Sequence, residues 1–291
     1  MAVDLNVAEA PVAARAEGWW RRFRTSRRGM IGLFLLGLIL LMCVLGPAIS
    51  AHDPAQVDPL ARLASPRAAH WFGTDQFGRD VLTRMLAGGR VSLMVAAAVT
   101  VLSVVAGCFL GLLAAMYARA DGPMMRVLDA LMAFPSVLLA IALMARLGPS
   151  LVNVIVALSL VTAPTFARLV RGSALVVKSA PYVELARALG LRLPTLMVRY
   201  LLANSLSPLI LAATFGAANV ILAEASLSFL GAGLPTSVPT WGSMLNDGQT
   251  YLRNAWWLAV APGLALTLLL LALNMMGDAL RDALDPRSER L

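Results

Sequence analysis

Lys178 is the only lysine in the chain, which makes it a natural first candidate for chemistry. With Gly172 before it and Ser179 after it, it falls on the spacing of a nucleotide-binding loop, G-x-x-x-x-G-K-[ST]. Val177 stands where that pattern has its second glycine, and a bulky side chain there blocks the backbone cradle for phosphate. The segment also leaves an apolar helix rather than a strand, so no ATP site is expected. His52 and His70 are the only histidines. Neither has a partner at ligand spacing, so no metal site is expected and both read as solvated or interface residues. Intramembrane proteolysis needs paired catalytic groups, and the apolar runs offer only isolated serines and threonines. No catalytic residue is expected. Asp129, Arg146, Arg168, Glu224 and Asp278 fall near the ends of apolar runs, so none stands at the depth where a carrier binds its driving ion. Asn153, Asn219 and Asn274 are neutral and read as helix-packing residues.

The elements that hold these residues are membrane helices. The 291 residues are 59% hydrophobic and 14% charged, with a mean hydropathy of +0.77. A soluble domain is roughly half apolar and a quarter charged. The net charge of +8 comes from arginines between apolar runs, as orientation in a bilayer requires, and no basic face with interleaved aromatics suggests nucleic acid. Cys43 and Cys108 lie inside apolar runs, so no structural disulfide is expected. A polar tail, residues 1–29, ends in Trp19, Trp20 and a run of arginines that hold it in the cytoplasm. Six runs can cross a core of about 30 Å: 30–49, 91–116, 127–145, 151–170, 207–223 and 258–277. The first is too long for a signal core and is read as uncleaved. Gly107 and Gly111 permit close helix approach, and Pro135, Pro164, Pro208 and Pro262 lie in or near spans. With both termini inside, 17 of the 24 basic residues are cytoplasmic and 7 are external. The fold class is therefore an all-α, six-span membrane protein, N-in and C-in.

The longest polar interval on the cytoplasmic side is residues 171–204, and within it Ser179–Gly190 has the signals of a short helix. Ser179 is placed to cap it, Pro181 suits the first turn, Glu184 opposes the positive end of the dipole, and Gly190 supplies a left-handed stop. Val183, Ala186 and Leu189 are expected on one apolar side, with Glu184, Arg187 and Ala188 elsewhere. The stretch resembles the EAA loop of ABC importer permeases: Glu184, Ala186, Gly190 and Leu202 match that pattern, whereas Leu185, Tyr200 and Ala203 depart from it. Ala203 replaces a proline, so the break before the next span is expected from Pro208 instead. The resemblance implies a coupling helix, with Tyr182, Glu184, Leu185, Ala186, Arg187 and Gly190 facing or shaping the contact with an ATPase subunit.

Two external segments, about 51–90 and 224–257, are too patterned for plain connectors. The first contains His70-Trp71-Phe72-Gly73-Thr74-Asp75-Gln76-Phe77-Gly78-Arg79-Asp80, and the second contains Glu224 to Gly233 and Pro239-Thr240-Trp241-Gly242. Their glycines and aromatics suggest a structural lid; direct contact with substrate is the alternative. Gly73, Thr74, Asp75, Gly78, Arg79, Asp80, Trp241 and Gly242 are the residues singled out. Together with Ala167 to Gly172 and the closing run Gly277 to Pro286, these motifs resemble the second permease of dipeptide, oligopeptide, nickel and glutathione ABC importers. The resemblance implies an inner-membrane, non-catalytic subunit with no cofactor of its own. The implied partners are a homologous second permease, two ABC subunits carrying ATP and magnesium, a solute-binding protein and membrane lipid. Peptides are the implied cargo. An ion-coupled secondary carrier is the alternative outside the family.

Overall fold

The computed structural model describes residues 12–50 and 52–284. The tail before Val12, Asp285 and Pro286 of the closing motif, Arg287 and Arg290 lie outside the described residues. The helices in order are α1 (Val12–Thr25), α2 (Arg27–Ile49), α3 (Val81–Met116), α4 (Ala118–Met132), α5 (Ser136–Leu147), α6 (Leu151–Lys178), α7 (Pro181–Ala188), a single turn α8 (Leu193–Thr195), α9 (Ala203–Phe229), α10 (Trp241–Gln249) and α11 (Trp257–Leu284). Among the described residues there is no strand, only two isolated bridges in the loop after α2. Among the described residues five helices are long and apolar enough to cross a membrane, and α4 with α5 makes a sixth crossing if the bent pair counts as one. The all-helical expectation holds.

The helices run past the apolar cores that the sequence marks. Helix α3 starts ten residues before Val91, because the Asp80 carboxylate accepts from the Thr83 N–H at 2.8 Å and caps it there. Helix α6 continues to Lys178, whose ammonium donates to the Ala115 carbonyl near the end of α3 at 2.6 Å. This places a cation on a helix C-terminus, a structural role for the lone lysine. The 171–204 interval is therefore mostly helix: a π-helical stretch, Leu196–Leu202, leads from α8 into α9. Neither Ala203 nor Pro208 breaks this helix, and Leu193–Phe229 passes as one crossing. The expectation of a break at Pro208 is corrected.

The run at 127–145, expected as one span, is two helices meeting at 91°. The run is apolar apart from Asp129 and Ser136, but Pro135 has no N–H and disfavours helix at the preceding residue, so Phe134 lies between the two helices.

Close packing centres on α3 and α6. A Cβ on Gly107 would lie 2.5 Å from the Phe166 Cβ, and one on Gly111 would lie 2.5 Å from the Ala167 carbonyl oxygen. The spacing read as a close-approach motif is one. On the opposite side of α3, Val101, Val105 and Phe109 are exposed, an apolar stripe suited to lipid. One core collects α3, α5, α6 and α9 around Trp241 at the end carrying α10. A second joins α6, α7 and the π-helical stretch at the other end. At that second end Trp19 and Phe23 of α1 pack on Ala279 and Ala283 of α11.

Candidate functional site

At the α7 end, the short helix is specified much as its sequence suggests, with two corrections. Pro181 occupies the first turn and Glu184 follows it. The N-cap, however, is Ala180, and Ser179 instead donates its hydroxyl to the Val176 carbonyl at 2.9 Å, finishing α6. The C-terminus is a full Schellman closure: Gly190 N–H donates to Arg187 O at 3.0 Å and Leu191 N–H to Ala186 O at 3.2 Å. Gly190 has φ +79°, and nothing lies near the position of a Cβ, so glycine is required there for backbone conformation rather than for space.

Val183 and Ala186 are buried in the second core, anchoring α7 beneath α6. Leu189 is 73% exposed, so its expected place beside them is corrected. At about 100° per residue, six positions carry Leu189 some 240° round from Val183. It joins Tyr182 and Leu185, both exposed, in an outward apolar stripe, while Glu184 and Arg187 are exposed together on one side of the helix. Tyr182 is braced by Tyr200, with ring centroids 6.3 Å apart. The helix is thus buried in the core on one face and exposed and apolar on the other, and two ion pairs tie α6 above it to α4. Arg171 holds Asp121 through two nitrogens, one at 2.6 Å, and Arg168 reaches Asp129 at 2.6 Å.

At the α10 end, the loop after α2 folds into one hydrogen-bonded knot. Gly73 and Gly78 have φ +72° and +77°, and a Cβ on Gly78 would collide with the Asp58 backbone. Thr74 donates to Ala61 O, accepts from Ala64 N–H at 2.8 Å, and through its carbonyl accepts from the Trp257 indole at 3.2 Å. Asp75 accepts from the N–H groups of Phe77 and Arg79 and pairs with the Arg79 guanidinium at 2.6 Å. Arg84, 3.5 Å from the same carboxylate, completes the cluster. Trp241 is buried, donating its indole N–H to Met85 O at 2.9 Å. Gly242 is pressed on α9, where a Cβ would lie 2.4 Å from Ala225 O. These residues therefore hold the loop after α2 against α3, α10 and α11 through hydrogen bonds and close packing. Nearby, burial raises the Asp247 pKa above the usual carboxylate range, while Arg84 and Arg79 pull it down less strongly.

Glu224 is corrected in position: it lies inside α9, 1% exposed, rather than opening a loop. It accepts from Ser92 of α3 at 3.1 Å and Ser228 at 2.8 Å, and Ser92 also receives the Trp241 N–H at 3.4 Å. Asn153 donates to the Leu147 and Gly148 carbonyls, a packing role as expected. Asn219 differs. It lines a cleft of about 830 Å³ between α5, α6 and α9, with Ser136, Thr162, Thr165, Arg168 and Ser226. The signal for that cleft was present as small polar residues at helical spacing, 162 with 165 and 219 with 226, but single hydroxyls in apolar helices carry little weight without a wall opposite. The two histidines are also corrected: they stand ring against ring, centroids 5.0 Å apart, rather than as separate solvated groups.

The described residues thus combine membrane-length helices, a bent helix pair beside a partly polar cleft, and a short helix buried on one face only. Residues 103–290 match the family model described as the binding-protein-dependent transport system inner membrane component. The chain belongs to that family. Residues 17–66 match a second model, the N-terminal transmembrane domain of oligopeptide transport permease C. A protein of Brucella suis assigned to a peptide transport system as its permease is 45% identical over 97% of this chain and 94% of its own. The dipeptide transport system permease protein of Alkalihalophilus pseudofirmus is 39% identical over 92% and 88%. The glutathione transport system permease protein of Pectobacterium atrosepticum is 40% identical over 92% and 90%. This family member is thus a multi-pass inner-membrane permease subunit of an ABC importer.

Proposed function

We propose that the chain is one of two permease subunits enclosing a path for peptides, of the dipeptide and oligopeptide class, through the inner membrane. The names of its relatives support that cargo, with glutathione as the alternative within the same chemistry. The α7 end faces the cytoplasm together with both termini, in keeping with the arginine distribution. The observation that carries the coupling role is the two-faced α7 helix. Val183 and Ala186 root it in the core, while Tyr182, Leu185 and Leu189 present apolar surface to an ATPase subunit. Glu184 and Arg187, on one side of the helix, supply polar contacts, and Gly190 fixes the angle at which the helix is held.

ATP and magnesium belong to two such ATPase partners, and this chain performs no catalysis. A solute-binding protein delivers cargo at the α10 end, above the lid built on Asp75 and Trp241. Thr162, Thr165, Asn219 and Ser226 form this chain's wall of the path. Closure of the ATPases drives α7 as a lever, and the α6–α9 wall moves with it because both helices share its core.

The test is gentle detergent purification of the tagged full chain from its native host, with mass spectrometry of the material that comes with it. A second permease and ATPase chains at two per complex are expected. A chain that purifies alone and moves solute along an imposed proton gradient would overturn the reading in favour of an ion-coupled carrier.

A further inference from the structure

Three side chains far apart in sequence meet where α2 ends and α3 begins. One potential ligand atom from each of His52, His70 and Asp80 lies within 4.8 Å of the other two. The His70 Nδ1 is 3.0 Å from the Asp80 Oδ2, and both side chains are nearly buried, 11% and 5% exposed. Two ligand atoms on a tetrahedral zinc ion, each at about 2.0–2.1 Å, stand roughly 3.3 Å apart. The His70–Asp80 edge is already near that spacing, and His52 needs to close by at most about 1.5 Å to complete the triangle.

The surroundings orient these groups. Asp80 spends its other oxygen, Oδ1, on the N–H and hydroxyl of Thr83, both at 2.8 Å, which leaves Oδ2 turned to the histidines. Ser50 binds Thr83 hydroxyl to hydroxyl at 2.5 Å and accepts the His52 backbone N–H at 3.3 Å, so the backbone carrying His52 is tied to the same point. Arg79 and Arg84, cations of the same loop and of the first turn of α3, are turned to Asp75 instead. Outer contacts of this kind fix ligands for a metal.

We propose that His52, His70 and Asp80 form a binding site for a divalent transition-metal ion of the zinc type, with water in the fourth position. Two imidazoles and one carboxylate suit such an ion better than magnesium or calcium, which take oxygen ligands. On binding, neutral His70 carries its proton on Nε2 and offers Nδ1 to the metal, exchanging the hydrogen bond to Asp80 for a shared ion. The ion clips His52, just past α2, to the N-cap of α3 and so closes the loop between them. This inference is independent of which solute the protein carries.

The test is zinc titration by calorimetry of the full-length protein in detergent, purified on a tag free of histidine, with cobalt(II) absorption reporting coordination. One ion per chain and a four-coordinate cobalt spectrum are expected. His52→Ala should weaken binding by at least the roughly 10–100-fold seen for loss of outer-shell partners. Its melting temperature in chelator should stay that of the wild type, because the His52 side chain takes no part in capping α3. His70→Asn, whose amide still donates to Asp80, should weaken binding similarly and guards against a folding artefact. Absence of stoichiometric zinc binding, or zinc affinity unchanged in both variants, would overturn the proposal.

Discussion

Gly190 offers the most direct test of how α7 is held. Its φ of +79° costs an L-residue about 1–2 kcal/mol, while the open space around it removes any steric contribution. The series Gly190→Asn, Gly190→Ala, Gly190→Val therefore isolates the backbone term. Asn visits the left-handed region most readily, Ala pays for its Cβ, and a β-branched residue pays most. A penalty of one or two kcal/mol shifts a local equilibrium by a factor of roughly 5–30. It falls on the two closing hydrogen bonds, Gly190 N–H to Arg187 O and Leu191 N–H to Ala186 O. Hydrogen–deuterium exchange of the segment 186–191, read by mass spectrometry, should accelerate by about that factor in Ala, less in Asn and more in Val. Exchange in α3 and α6 should not change. Uptake by the assembled transporter should fall in the same order, and Gly190→Pro, which cannot adopt a positive φ, should abolish it. Equal exchange in all three variants and wild type would refute the claim that the left-handed turn sets the angle of α7.

Three further outcomes follow from the packing and charges. Gly111→Val drives side-chain atoms into the Ala167 carbonyl and Val170, and should lower stability by at least the roughly 1–3 kcal/mol of an overpacked core, read as a loss of melting temperature in detergent. Leu185→Asp, on an exposed face, should leave melting unchanged within about 0.5 kcal/mol while uptake and transport-coupled ATPase activity of the complex are lost. Asp247→Asn probes the lid. Because the folded-state pKa of Asp247 is raised, the stability linked to its proton is complete below the usual carboxylate pKa and is lost as pH rises through the folded value. The amide mimics the protonated form, so the variant should melt above wild type near neutral pH and lose that advantage in acid.

The parts of this structure legible in the sequence are those set by neighbours along the chain. Pro181, Gly190 and the Gly107–Gly111 pair each act through backbone geometry that their residue type dictates, and each does in the fold what its type implies. The failures are of two kinds. Ser179 sits at a helix end, where one residue decides which helix is capped, and Leu189 lies six positions from Val183, where the helical period has already turned it off the buried face. His52, His70, Asp80 and the Ser92–Glu224–Trp241 network depend on contacts across tens to hundreds of residues, which no spacing rule contains. The cleft between α6 and α9 lies between these cases. Its residues have a helical period, but only the second wall turns a scatter of hydroxyls into a surface. The α4–α5 bend was masked by composition, since an apolar run looks alike whether straight or folded at Pro135.

That bend has a consequence for solvation. Helix α5 has 12 residues and rises about 18 Å, too short to cross a hydrocarbon layer of about 30 Å on its own. Where α4 stops and α5 starts, carbonyls and N–H groups lose their helical partners, and Pro135 has no N–H to contribute. Hydrocarbon supplies no replacement, and each unmet group there costs several kcal/mol. Wherever that corner lies within the hydrocarbon layer, the side carrying Phe134 and Ser136 is wetted or covered by protein. Lipid can clothe the Val101–Phe109 stripe of α3, but it cannot seal this corner.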